Sequence, residues 1–176
     1  MGNIFCFRYD PEHGPESVKD ALSLSNISTT KFINVLCLSG GRLAATQSQK
    51  RMMVFLGEKN QTFCGIGTVG FDIVDMPWDR DSFDEDKAFL LAVIEGARNK
   101  LGWETLDFKP NEEVVIDALN VFEKLVQRME KSDIREEALA KWLSGAEEND
   151  PVRCGFPKCE AHDIYLSVFG CQVCTD

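Results

Sequence analysis

Histidine is scarce in this chain: there are only two, His13 and His162. A nucleophile that needs an imidazole base has few partners to choose from. A basic surplus is also missing, since 19 Lys and Arg face 29 Asp and Glu for a net charge of −10. Nucleic-acid phosphate calls for a basic surface, so nucleic acid is excluded as a partner class. An anionic membrane face is disfavoured for the same reason. No apolar run approaches the roughly 20 residues that span a bilayer as a helix. The first residues lack a basic segment followed by an apolar one, so they do not read as a secretory signal. They begin Met1-Gly2, but Cys6 stands where the usual myristoylation pattern has Ser or Thr, and no basic cluster follows to support a lipid anchor.

What is present begins with seven cysteines. A disulfide framework is more often even in number and spread along the chain. Here Cys6, Cys37 and Cys64 are widely separated, while Cys154, Cys159, Cys171 and Cys174 crowd the end. Free thiols with a metal cluster fit a reducing compartment, which makes the expected location cytoplasmic.

The chain changes character along its length. In residues 1–31, the Phe5-Cys6-Phe7 run reads as a short strand, residues 16–24 as a short helix, and the Ser/Thr-rich residues 25–30 as a loop. Residues 32–38 are a short, apolar, partly β-branched run ended by Ser39, Gly40 and Gly41, the pattern of a strand and turn. Residues 51–56 form the next strand candidate, and residues 61–74 one or two more, bent by Gly65, Gly67 and Gly70. Short linkers favour antiparallel pairing, since a parallel crossover needs a dozen or more residues.

After Pro77 the period becomes helical. Ser82 with Glu85 matches a capping box, and Phe83, Leu90, Ile94, Ala97 and Leu101 recur on one face up to Gly102. Pro110 and Asn111 open a second helix with Val115, Leu119, Phe122, Val126 and Met129 as its apolar stripe. A third follows Ser132 or Asp133, with Ile134, Leu139, Trp142 and Leu143 inward and Gly145 as its stop. Strands first and helices after imply an α+β fold: an N-terminal antiparallel sheet or meander, then about three helices. The division is a body over residues 1–148 and a metal-binding module over residues 149–176.

Residues 154–174 carry the most specific chemistry. Cys159 and His162 form one C-x2-H pair, and Cys171 and Cys174 one C-x2-C pair, around an alternating stretch that suits a strand or small hairpin. Zinc takes four N or S ligands in a tetrahedron, and each x2 turn presents two of them. Gly170 suits the tight turn before Cys171. Five ligands compete for four places. Cys159, His162, Cys171 and Cys174 use both x2 spacings and are preferred; Cys154, Cys159, Cys171 and Cys174 are the all-cysteine alternative. In this motif alone, over roughly the last 20 residues, the chain resembles a zinc ribbon, which implies a closed, structural zinc centre.

Other motifs carry less. Gly65, Gly67 and Gly70 spell G-x-G-x-x-G, but dinucleotide binding requires the motif to open a helix, and strand-like residues follow it here. Ser39-Gly40-Gly41-Arg42 lacks the lysine and spacing of a phosphate-binding loop. Acidic residues gather from Asp72 to Asp86 around Met76-Pro77-Trp78, an exposed-anchor pattern that would suit a basic partner. Cys37 and Cys64 sit in apolar strand-like surroundings, where cysteine is usually inert. These observations point to a non-catalytic, acidic, protein-binding protein of inhibitor or immunity type, with a structural zinc site and a basic protein as partner. The competing expectation is a small enzyme with a pocket near the glycine-rich turns.

Overall fold

The computed structural model describes residues 3–174. The short strands β1 (Asn3–Phe5), β2 (Tyr9–Asp10), β3 (Gly14–Pro15) and β4 (Leu22–Leu24) come first. β1 pairs antiparallel with β4, Asn3 opposite Leu24, and β2 with β3. Helices α1 (Asn26–Leu43) and α2 (Gln47–Gly57) follow. A small antiparallel pair, β5 (Asn60–Gln61) and β6 (Gly67–Thr68), leads to α3 (Phe83–Arg98), α4 (Glu112–Arg128) and α5 (Glu136–Ser144). Five α-helices with small antiparallel sheets among the described residues make a mixed α+β protein. Among the described residues, no helix is long and apolar enough to cross a membrane.

The central element is α1, where an N-terminal sheet was expected. Residues 32–41 are buried without interruption, so the helix has core on every side and no polar face to betray its 3.6-residue period. A continuous apolar run cannot be assigned to helix or strand by periodicity alone. The Ser/Thr-rich stretch expected as a loop is its N-terminus: the Ser25 hydroxyl accepts from the Ser28 amide at 3.2 Å. Residues 51–56 belong to α2 rather than a strand, behind a complete Thr46/Gln49 capping box. Residues 16–24 form a 3-10 turn (Val18–Asp20) and β4 instead of a helix. The meander followed by three helices is therefore replaced by a helical core edged with two-stranded pieces.

The helical half matches its pattern more closely. All five apolar-stripe residues of α4 are buried, and Asn111 caps it by accepting from the Val114 amide. In α3 the expected capping box is absent: the Ser82 hydroxyl donates to buried Asp86 at 2.7 Å. α5 lies on the surface, so Leu139, Trp142 and Leu143 are only half-buried. Trp78 is no interface anchor; it is 2% exposed and donates its indole N–H to the Ile73 carbonyl at 2.7 Å. Cys6 is buried and donates to Asp72, so no exposed thiol stands there, and Gly2 lies outside the described residues.

Asp86 is fully buried on α3, where the Ser48 hydroxyl also donates to it. Burial pushes its carboxyl above the usual range, against the lowering effect of the two hydroxyls. The folded chain thus holds this proton to a higher pH than the unfolded chain does. The Asp86 contribution to stability is fully present below the unfolded value and is lost as pH rises through the folded one. Denaturant unfolding of Asp86→Asn against the parent, at pH steps upward from about 4, is expected to show the parent losing stability relative to the variant as pH rises; a constant difference would contradict this.

Candidate metal centre

The C-terminal segment folds onto the end of α1. Cys159 donates its amide to the Ile164 carbonyl and the Asp163 amide donates back to the Cys159 carbonyl, both at 2.8 Å. Asp163 closes that turn at a φ of 56°. This knuckle turns Cys159 and His162 toward each other. Past Ile164 the chain makes two isolated antiparallel bridges, Lys158 with Tyr165 and Ser167 with Gly170, where a strand or hairpin was expected. Ser167 and Gly170 exchange backbone hydrogen bonds of 2.9 and 3.1 Å around Val168 and Phe169. Gly170, at a φ of 83°, then delivers Cys171 and the turn to Cys174.

Four side chains meet as a result. The ligand atoms of Cys159, His162, Cys171 and Cys174 all lie within 4.8 Å of one another. His162 Nδ1 stands 3.6, 3.5 and 3.3 Å from the sulfurs of Cys159, Cys171 and Cys174. The Cys159 and Cys174 sulfurs are 3.7 Å apart. A zinc tetrahedron with Zn–S near 2.3 Å and Zn–N near 2.0–2.1 Å has S···S edges of about 3.8 Å and N···S edges of about 3.6 Å. These four edges match those lengths, so the donor set fits a metal ion. Cys154, the alternative ligand, is exposed and donates to the Glu148 carbonyl outside this group. No disulfide links the described cysteines.

Electrostatics sharpen the same picture. Burial pushes the Cys159 thiol up, but hydrogen bonds from the His162 amide and ring, Cys171 and the Ala161 amide outweigh it and bring it down to about 7. Burial pushes Cys171 up to about 12 and Cys174 above its ordinary value. Three thiols this close do not all ionise without a cation among them.

The anchoring residues were not singled out as such in the sequence. Lys158 Nζ donates to the Gly41 carbonyl at 2.6 Å and to Asp163 at 2.8 Å. Arg42 Nη1 donates to the carbonyls of Leu38 at 3.0 Å and His162 at 3.3 Å, and the Tyr165 hydroxyl reaches the Ala44 carbonyl. Cations at the C-terminal end of α1 complement its dipole. The close approach needs Gly41, since a Cβ there would sit 2.2 Å from the Asp163 carbonyl oxygen. The glycine pair that ends the apolar run was the one available signal of such packing. The Ser39-Gly40-Gly41-Arg42 turn expected from the sequence is thus helical and serves as the seat of the knuckle.

The remaining candidates scatter. Gly65 and Gly67 lie in and beside the β5–β6 turn at positive φ, and no helix follows them closely. Cys37 is buried, and burial pushes its thiol up to about 12; burial and a hydrogen bond to Asp72 do the same for Cys6. His13 is exposed beside Asp10 at 3.2 Å. The chain is thus a mixed α+β protein with a Cys3His cluster able to hold a metal ion. No protein-family model, curated protein or solved structure matches it.

The seat of the knuckle is testable. Gly41→Ala is expected to cost about 1–3 kcal/mol in denaturant unfolding, because backbone must shift to admit the methyl group. Gly145→Ala, whose added Cβ meets nothing closer than 3.5 Å, serves as the control and should stay within about 0.5 kcal/mol. Equal effects at both positions would contradict the close approach.

Proposed function

We propose that this is a non-catalytic, zinc-stabilised acidic protein that works by binding a basic protein partner in the cytoplasm. The observation that carries the zinc assignment is the match between the Cys3His edges and a zinc tetrahedron. Thiolate and imidazole ligands suit zinc better than magnesium or calcium, which take oxygen. Cys159, His162, Cys171 and Cys174 would hold the ion, and four protein ligands leave no place for an activated water, so its role is structural. The reading of residues 149–176 as a zinc-ribbon-like module is supported by the two knuckles, one of which seats on α1. The net charge of −10 supports a basic partner, by steering and by rejection of anionic ones.

Metal analysis of the purified chain is expected to find about one zinc per molecule. His162→Ala or Cys171→Ser should lose it, while Cys154→Ser should keep it. Retention of zinc by His162→Ala together with its loss from Cys154→Ser would move the assignment to the all-cysteine set. No zinc in the parent would end it.

A further inference from the structure

Arg135 lines three neighbouring hollows of about 700, 660 and 710 Å³. The first two also share Lys59 and Asp75, and the last two share Tyr9. They therefore join into one open groove. It runs from Val168 and Phe169, the turn just before Cys171, across α5 and the Asp75–Arg135 ion pair to the β2–β3 turn. We propose that this groove binds an unstructured basic segment of a protein partner, cationic side chains alternating with apolar ones. This rests on the basic-partner reading above and gives that partner a place and a form.

Charge and apolar surface coincide in the groove. Its lining carries eight carboxylates against the four cations Arg8, Lys59, Arg135 and Lys141. Arg135 is already neutralised by Asp75, and Arg8 by Asp133 at 3.7 Å. The Lys59 ammonium is turned onto the Phe55 ring, 3.9 Å from its centre. Of the carboxylates, Asp75 and Glu16 are paired with Arg135 and Arg128, Asp10 with His13, and Asp72, Glu58 and Asp150 accept from Cys6 and Tyr9, from Trp142 and from Val152. Glu12 and Glu137 remain exposed along the groove, with Lys141 as the exposed cation beside them. Between the charges lie three of the large exposed apolar side chains, Val168, Tyr9 and Ile4, at 52, 45 and 39% exposure. Exposed apolar surface framed by polar residues is the pattern of a binding site. The acidic stretch at the start of α3 differs. Its aromatic and apolar residues, Met76, Trp78 and Phe83, are all buried, so it offers charge without an apolar anchor. A chain of shallow hollows suits successive side chains of an extended peptide better than a single enclosed small molecule.

The test uses the zinc-loaded full chain and a fluorescent peptide of alternating arginine and leucine, read by anisotropy at low salt. Three proteins are compared: the parent, Glu12→Lys with Glu137→Lys in the groove, and Asp84→Lys with Glu85→Lys at the start of α3. All four positions are exposed, and both pairs change net charge equally. The groove pair is expected to weaken binding roughly tenfold or more, and the α3 pair less than about threefold. Equal weakening by both pairs, or a larger effect at α3, overturns the groove. Cytochrome c, a folded cationic probe, runs in parallel. Binding of cytochrome c without the peptide removes the groove and leaves the acidic-surface reading standing; binding of neither removes both.

Discussion

At three consecutive residues of α1, three different neighbours come within reach of its backbone. A Cβ at Gly40 would lie 1.8 Å from the Met53 sulfur on α2, and one at Gly41 would lie 2.2 Å from the Asp163 carbonyl of the C-terminal segment. Ser39 donates to the Val93 carbonyl on α3 at 2.8 Å, against Gly96 on that helix. Successive helical residues point about 100° apart, so a run of small side chains opens the helix on all sides at one level. α2, α3 and the knuckle meet there. The metal cluster follows from that meeting: Lys158 and Tyr165 donate to the Gly41 and Ala44 carbonyls at the end of the helix, and Arg42 on the helix donates to the His162 carbonyl of the knuckle.

This arrangement also ties the centre to the rest of the molecule. Ile164, Tyr165, Cys171 and Val173 belong to the one hydrophobic core, so part of the segment's hold comes from burial rather than from ligands. Gln172 lies against Gly57 at the end of α2. The turn that delivers Cys171 carries Val168 and Phe169 to the surface beside Trp142. An ion at the cluster would therefore fix one end of the groove as well as the end of the chain.

Some of this was legible in the residues alone, for physical reasons. Amphipathic helices announce themselves, so the α4 stripe from Val115 to Met129 and the positions of α3 and α5 were readable. The x2 spacings brought out Cys159, His162, Cys171 and Cys174, because a knuckle is a local structure. α1 and α2 were not legible as helices: residues 32–41 are buried all round and residues 52–57 nearly so, and burial on every side erases the period. Nor could local pattern show that Gly41 faces Asp163, or that Trp78 turns inward, since both depend on segments distant in the chain. The groove was equally hidden, being assembled from the first strands, α2, α5 and the C-terminal turn.

The central claim is that a Cys3His zinc centre closes the chain onto α1. X-ray absorption at the zinc edge of the purified protein tests it most directly. A Cys3His centre gives three sulfur scatterers at about 2.3 Å and one nitrogen at about 2.0–2.1 Å, with the outer-ring signal of an imidazole. A shell of four sulfurs, a shell dominated by oxygen, or no bound zinc would contradict it.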